Sequence, residues 1–177
     1  MERNVSLVLE SPSDRGMLHA IIIRPQSNER IELTAAELSP ESGVMGDRWG
    51  QEEHPLAADG RPDRRNQVSL MNVRILALIA GDKSSMQLAG DNLIVDFDLS
   101  EVNLPPGTRL RVGPTAIIEL TDVPHVGCRK FSHRFGQEAR EFVNSPLGTR
   151  WNLRGRYAQV VQAGMIHVED GIETIRA

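Results

Sequence analysis

The sequence predicts a mostly β protein, a barrel or a sandwich, with at least two added helices. Three observations support this fold class. Short runs rich in β-branched residues recur along the chain, turn-forming residues bound each run, and two further segments show helical spacing. Many short strands joined by turns are typical of closed or stacked β-sheets.

Nine runs have the length and composition of β-strands. Gly, Pro, Asn, Asp or Ser separates each run from the next, so short connections are expected between them. The predicted strands are VSLVLE (5–10), MLHAIIIRP (17–25), ERIELTAAEL (29–38), NQVSLM (66–71), NLIVDFD (92–98), TRLRVG (108–113), TAIIELTDV (115–123), RYAQVVQAG (156–164) and GIETIR (171–176).

The first helical segment is MNVRILALIAG, residues 71–81. Val73, Leu76 and Ile79 fall about one turn apart, and a glycine follows them at position 81. Glycine directly after a periodic apolar pattern marks the end of a helix. We therefore expect a helix that stops at Gly81.

The second helical segment, RKFSHRFGQEAREFVNSP at residues 129–146, directly follows the only cysteine. Gly136 lies inside it and costs about 1 kcal/mol relative to alanine, so the helix is expected to bend there or to begin late. The segment ends at Asn-Ser-Pro. The apolar residues with helical spacing are Phe131, Phe135, Ala139 and Phe142.

Residues 49–65, WGQEEHPLAADGRPDRR, are predicted to form a long loop. The segment is rich in charged residues, has two prolines and two glycines, and shows no periodicity. Loops of this length in compact domains are usually functional, so a lid or a mobile segment is expected here.

Length and charge restrict the class of protein. The 177 residues suit one domain over positions 1–177. Twenty Lys and Arg against 24 Asp and Glu give a net charge of −4, which argues against general binding to nucleic acid or to anionic membranes. Any site that binds an anion must therefore concentrate its basic residues locally, for example in a pocket.

No membrane or export signal is evident. The N-terminal MERNVSLVLESPS carries charges of both signs and lacks the apolar region of a signal peptide. No stretch approaches the roughly 20 apolar residues that a membrane span needs. We expect a cytoplasmic protein.

The only cysteine, Cys128, lies between a predicted strand and a predicted helix and cannot form an internal disulfide. Two cations, Arg129 and Lys130, follow it directly, and His125 and His133 lie nearby. Cations and helix N-termini favour the thiolate, which is both the nucleophile and the metal ligand. The pattern favours a reactive or ligating cysteine, and the alternative is a small packed core residue.

Two other kinds of site fit the same residues less well. A zinc site built from His125, Cys128 and His133 would need a fourth ligand, and paired Cys or His spacings are absent. A cysteine hydrolase with His125 or His133 as its base would need a partner supplied by the fold, because no local signature is present.

Four segments resemble the MOSC domain, a module at the C-terminus of molybdenum cofactor sulfurases that also occurs as free-standing bacterial proteins. They follow the order of the family over residues 42–175. The segments are SGVMGDRWG (42–50), RRNQVSLMNVRILALI (64–79), AGDNLIVDFDLSEVNLPPGTRLRVGPTAIIEL (89–120) and LRGRYAQVVQAGMIHVEDGIETI (153–175).

The chain departs from the family pattern at three places. Gly127 precedes the cysteine where the family often has proline, which predicts a looser cysteine loop. Asp91 replaces the glutamate of the Glu-Asn-Leu stretch, and Glu169-Asp170-Gly171 replaces a Gly-Asp near the end. Together they indicate a divergent subgroup.

The resemblance implies a β-barrel with added helices and one functional thiol. Cys128 is then the molybdenum ligand of the molybdenum cofactor (molybdopterin), or it carries sulfur as a persulfide, and thiolate chemistry suits both. The implied partners are the cofactor or a sulfur donor, and pyridoxal phosphate belongs only to a sulfurase partner. An enzyme of this kind would reduce N-oxygenated compounds with electrons from a separate reductase.

The remaining site residues follow from the needs of such a cofactor, which carries a pterin and a phosphate. Arginine forks bind phosphate well, and an asparagine amide can pair with a pterin edge. His125 is expected to act with Cys128 as a catalytic residue. The expected cofactor-binding residues are Arg48, Arg65, Asn92, Arg129, Lys130 and Arg154, with Arg156 as a further candidate.

Two rival functions from other classes remain open at this point. The first is a non-catalytic barrel that binds a small anion or a partner protein and packs its cysteine. The second is the cysteine hydrolase described above.

Overall fold

The computed structural model describes residues 10–51, 56–81 and 83–175. Its strands are β1 (Arg15–Ile23), β2 (Ile31–Leu33), β3 (Ala35–Ser39), β4 (Gly43–Val44), β5 (Val68–Asn72), β6 (Leu93–Asp96), β7 (Arg109–Val112), β8 (Ala116–Leu120), β9 (Arg156–Gln162), β10 (Gly164–His167) and β11 (Gly171–Ile175). Its α-helices are α1 (Val73–Ala80), α2 (Arg129–Phe135), α3 (Gln137–Asn144) and α4 (Pro146–Arg150), and 3-10 turns occur at Arg64–Asn66 and Lys83–Ala89.

Seven strands close into a barrel in the order β1, β11, β7, β8, β9, β5 and β6, with β6 returning to β1. Among the described strands, only β5 and β6 pair in parallel, because α1 connects them as a crossover. A smaller sheet of β10, β3 and β4 adds to the barrel. The predicted mostly β barrel with added helices is confirmed.

Alternation along the strands divides the apolar residues between two cores. In β6, Leu93 and Val95 lie in the barrel interior, whereas Ile94 packs with the helices outside. The outer core joins α1 through Leu76 to Phe131 of α2. The helices therefore cover one side of the barrel and bring the start of α2 against its wall.

Most predicted elements overlap observed ones. The strand predicted at 5–10 lies almost entirely outside the described residues, and each of the other eight overlaps an observed strand, with 29–38 divided into β2 and β3. Helix α1 ends at Gly81, whose φ of 74° is left-handed. The second predicted helix is interrupted at Gly136, where a φ of 88° starts α3 in a new direction.

Among the described residues, no helix has both the length and the apolar character that crossing a bilayer requires. The longest α-helices, α1 and α3, have eight residues each.

Candidate functional site

A cavity of about 290 Å³ opens beside the first turn of α2, and we call it the thiol cavity. Cys128 lines it and is exposed, so it is not a packed core residue. The wall also includes side chains from the β1–β2 connection, β5, the segment before β6, the segment before α2, α2 itself, and the start of β9 with the residues before it. Its cationic residues are Arg24, Arg30, Arg48, Lys130, Arg134 and Arg154.

The cysteine is placed by the loop that precedes α2. Cys128 is the N-cap of α2 in extended backbone conformation, and its side chain makes no capping hydrogen bond. The Gly127 amide donates to Asn144 Oδ1 (2.7 Å), and the Gly127 carbonyl accepts from Asn144 Nδ2 (2.9 Å) and Arg140 Nε (3.1 Å). Helix α3 thus fixes the position of the thiol.

Gly127 does not loosen this loop, contrary to the expectation from sequence. A Cβ at position 127 would lie 2.9 Å from Val143 Cγ2 and 3.3 Å from Asn144. A side chain at position 127 would have to displace Val143, so glycine favours the close approach of the cysteine loop to α3, and hydrogen bonds hold the loop there.

A buried ion pair forms the floor of the cavity. Arg154 Nη1 donates to both carboxylate oxygens of Asp91, at 3.0 and 2.8 Å, and its guanidinium lies 4.8 Å above the Phe131 ring. Burial raises the pKa of Asp91, and Arg154 and then Arg24 oppose that shift. Within the described part of the chain, Arg154 Nε is buried without a hydrogen-bond partner.

A second ion pair holds the adjoining wall. Arg24 Nε and Nη2 donate to the two oxygens of Asp47, at 2.9 and 2.7 Å, and the Arg24 amide donates to the same carboxylate. Burial alone would raise the pKa of Asp47, but the hydrogen bonds and charge of Arg24 outweigh it and lower that pKa. Asp47 belongs to the Gly-Asp-Arg segment, so this motif orients Arg24.

Asn92 links three barrel strands beneath the cavity. Its Oδ1 accepts from Arg24 Nη2 (3.2 Å) and from the amide and hydroxyl of Ser69, and its Nδ2 donates to the Ile22 carbonyl. The side chain is fully buried and does not line the thiol cavity. Its hydrogen bonds therefore support Arg24 from below.

His125 lines the cavity with a ring that is almost wholly buried. The imidazole stacks on Tyr157 with a centroid distance of 4.1 Å, and Nδ1 lies 3.7 Å from Asp91 Oδ1. Burial first, and then the charges of Arg154 and Arg24, hold the His125 pKa well below 6.5. The imidazole is neutral at pH 7, and Nδ1 has no hydrogen-bond partner among the described residues.

The structure brings together five residues that the sequence singles out: Cys128, His125, Arg48, Lys130 and Arg154 all line the thiol cavity. Other candidates do not reach it. Arg129 is exposed on α2, and Arg65 pairs instead with Asp63 at 2.8 Å and with Asp122 at 3.7 Å.

Arg156 also lies away from the cavity lining. It is buried and donates to the carbonyls of Leu104 and Thr121, which ties the start of β9 to neighbouring loops.

Sequence reasoning misses several residues of the cavity wall, among them Arg24, Arg30, Arg134 and Tyr157. Arg24 lies at the end of the predicted strand 17–25. Functional residues often lie in the loops at strand ends, so this position could have indicated Arg24 as a site residue. Arg30, Arg134 and Tyr157 come from separate parts of the chain, and only the closed barrel with its attached helices places them together.

The zinc alternative finds no support in the geometry. His133 is exposed on α2 and does not line the cavity. Across residues 10–51, 56–81 and 83–175, no group of three or more His, Cys, Asp or Glu side chains is placed to hold a metal ion.

Comparison with known families agrees with this fold. The MOSC domain family model matches residues 64–173, more than half of the 177 residues, and the chain belongs to that family. The family is associated with molybdenum cofactor binding and with sulfurase-type proteins. Comparison with the sequences of curated proteins gives no match.

Solved structures share the fold at low identity. YuaD from Bacillus subtilis has a TM-score of 0.60 and 18% identity, with 90% of this chain and 95% of that chain covered. YiiM from Escherichia coli has a TM-score of 0.59 and 16% identity, with 92% and 70% covered. YiiM from Geobacillus stearothermophilus has a TM-score of 0.59 and 11% identity, with 91% and 75% covered.

The free energy of unfolding should fall as the pH drops below 6.5. Because the folded protein holds the His125 pKa well below 6.5, the unfolded chain binds the proton first and acid favours unfolding. We expect this residue to lower the free energy of unfolding by up to about 1.4 kcal/mol per pH unit. Denaturant unfolding at about pH 7.5 and about pH 5.5 measures the change.

Two variants isolate the contribution of His125 from that of Asp91, whose raised pKa acts in the opposite sense. His125→Gln should flatten the pH dependence relative to wild type, and His133→Gln, at an exposed position, should retain it. An unchanged pH dependence in His125→Gln would contradict the assignment.

Breaking the buried ion pair on one side should cost more than removing both charges. Arg154→Gln leaves the Asp91 carboxylate without its hydrogen-bonded cation and should lower the free energy of unfolding by about 3–5 kcal/mol. The double variant Asp91→Asn/Arg154→Gln should recover most of that loss. Denaturant unfolding measures both, and equal losses in the two variants would exclude a coupled pair.

Proposed function

We propose that this protein binds molybdenum cofactor through Cys128, or carries sulfur destined for that cofactor as a persulfide on Cys128. One observation supports this most strongly: the only thiol of the chain is exposed in a cavity that six cationic side chains line. The net charge of the chain is −4, so this concentration of cations is local to the cavity.

The residues of the cavity fit the chemistry of the cofactor. Thiolate is a soft ligand suited to a soft metal centre, and guanidinium and ammonium groups suit a phosphate. The buried Nδ1 of His125 and Nε of Arg154 have no hydrogen-bond partner in the described parts of the chain, so each can bond to a ligand. We assign Cys128 as the metal ligand and Arg48, Lys130 and Arg154 to the anionic groups.

His125 contributes as a neutral group in this proposal. A neutral imidazole has one N–H donor and one acceptor nitrogen, so it can orient a ligand or pass a proton without adding charge. The Tyr157 stack and the nearby Asp91 restrict the ring to one orientation. His125 therefore combines an ordered ring with a buried nitrogen that lacks a hydrogen-bond partner among the described residues.

If the protein is an enzyme, the reaction we propose is reduction of an N-oxygenated compound. The bound molybdenum centre would supply the redox chemistry, and Cys128 would hold it. One cysteine cannot hold an iron–sulfur cluster, so a separate reductase must deliver the electrons. A separate reductase is thus a proposed partner if the protein is an enzyme, and a sulfur donor is a proposed partner if Cys128 carries a persulfide.

The geometry gives less support to the rival functions. A packed cysteine is at odds with the exposed Cys128. A cysteine hydrolase needs a base that is hydrogen-bonded to its nucleophile, whereas His125 Nδ1 has no hydrogen-bond partner among the described residues.

The molybdenum or the extra sulfur that the protein carries should depend on the Cys128 thiol. Wild type produced in a host that synthesises the cofactor should contain either molybdenum or the mass of one additional sulfur, and Cys128→Ser should lose both, since serine offers no soft ligand. Elemental analysis and intact-protein mass spectrometry measure these contents.

His133→Gln is the matched control, because it alters an exposed position on the same helix outside the cavity. It should keep the wild-type content. The proposal fails if Cys128→Ser retains as much molybdenum or sulfur as wild type does.

A further inference from the structure

A second cavity, of about 650 Å³, lies outside the barrel between β1 and α1, and we call it the apolar cavity. It shares no lining residue with the thiol cavity. Its volume lies in the range of cavities that hold small organic molecules. The apolar residues that line it are Met17, Leu18, Ala20, Ile22, Val73, Ala77, Met86, Ile94 and Val168.

Small residues on the strand and on the helix leave this volume open. Ala20 of β1 lies directly opposite Ile94 of β6, whose side chain packs in the outer core. Val73, Ala77 and Gly81 follow each other at intervals of four residues, so they lie on one side of α1 and its C-cap. A Cβ built on Gly81 would meet no atom within 4 Å. The helix therefore presents little bulk on this side, and the space beside it is unfilled.

Two carboxylates line the apolar cavity. Glu32 of β2 lies directly opposite Ile22 of β1, and because cross-strand partners share a face, Glu32 lies on the same outer side of the sheet. Glu169 lies in the β10–β11 turn, and its amide donates to the Leu18 carbonyl of β1. Within the described residues, neither carboxylate has an ion-pair partner.

The charge of this cavity is opposite to that of the thiol cavity. The lining that the structure describes includes no Lys or Arg, and its other polar side chains are those of His19 and Gln87. A cavity whose charged groups are carboxylates attracts cations and disfavours anions. An anionic ligand of the thiol cavity is therefore unsuited to this one.

Two methionines make the apolar lining adaptable. Met17 and Met86 line the cavity from β1 and from the 3-10 turn at Lys83–Ala89, and Met17 is exposed. A thioether side chain is unbranched and flexible, and its sulfur makes favourable contacts with aromatic rings. The lining can therefore fit an apolar body, an aromatic ring included.

We propose that the apolar cavity binds a small organic cation, an amine with an aromatic or aliphatic body. The apolar body contacts Ile22, Ile94 and the methionines, and burial of its surface drives binding. The ammonium group lies toward Glu32 and Glu169, whose charge selects a cation over a neutral or anionic ligand. This site goes beyond the proposed function, because no residue of the thiol cavity takes part in it.

Three ligands with the same phenylbutyl body test the charge preference in full-length wild type. At pH 7, 4-phenylbutylamine is a cation, 4-phenylbutanol is neutral and 4-phenylbutyrate is an anion. At low ionic strength we expect the amine to bind more tightly than the alcohol by about threefold or more, and the carboxylate to bind most weakly. The preference should shrink as ionic strength rises to about 0.15 M.

NMR titration of protein labelled with ¹³C in its methionine methyl groups measures these affinities and locates the site. The methyl resonances, assigned by replacing each methionine with leucine, should shift for Met17 and Met86. Those of Met45 and Met165 should not, because both side chains are exposed outside the cavity lining.

A variant that fills the cavity supplies a second test. Ala77→Phe should weaken binding of the amine by about tenfold or more, because its ring occupies the volume beside α1. Val102→Phe introduces the same ring at an exposed loop position outside the cavity and should leave binding unchanged. Position 77 is exposed, so thermal unfolding of both variants should stay near that of wild type.

Removing the carboxylates tests the origin of the selectivity. The double variant Glu32→Gln/Glu169→Gln should bind the amine and the alcohol with affinities within about twofold of each other. Glu37→Gln, at an exposed position of β3 outside the cavity, should keep the wild-type preference.

Four results would overturn the proposal. They are no binding of the amine by wild type, equal or tighter binding of the alcohol or the carboxylate, amine binding that Ala77→Phe leaves unchanged, and a preference for the amine that survives loss of both carboxylates. None of these measurements depends on whether Cys128 binds molybdenum or carries sulfur.

Discussion

The thiol cavity depends on two buried ion pairs, Arg154 with Asp91 and Arg24 with Asp47. Both carboxylate side chains are 1% exposed, so each arginine is held in place by an ion pair with a buried partner. Buried charges of this kind require their partners, because a lone buried carboxylate would be strongly destabilising. The pairs therefore fix two cations in the cavity wall.

The rest of the site adds cations and a thiol to this frame. Arg30 and Arg134 have no carboxylate partner among the described residues, and Asp91 is the only carboxylate in the cavity lining that the structure describes. The barrel supplies the ion pairs, whereas the helices outside it supply the thiol and Arg134. Helix α3 holds the cysteine loop, so the outer apolar core fixes the distance between the thiol and the barrel wall.

Local patterns predicted most of the elements but only part of the site. Strand alternation and the glycines at 81 and 136 determine where strands and helices end, because these effects act over a few residues. The sequence also points to Cys128 and its neighbours. Arg65 and Asn92 belong to motifs that resemble the family, yet one pairs with Asp63 and the other supports Arg24. The Arg65 pair is local, two residues apart, whereas the contacts of Asn92 depend on the pairing of β6 with β1 and β5, which joins distant parts of the chain.

The rate at which Cys128 reacts with two methanethiosulfonates of opposite charge tests most directly whether the thiol faces a positively charged cavity. One reagent carries a sulfonate and the other a trimethylammonium group, and each rate is divided by the rate with a small free thiol. Cys128 is the only cysteine, so the reaction reports one site. We predict that the anionic reagent is favoured at low salt and that its advantage shrinks as ionic strength approaches about 0.15 M. Equal normalised rates at low salt, or faster reaction with the cationic reagent, would contradict a cationic cavity around the thiol.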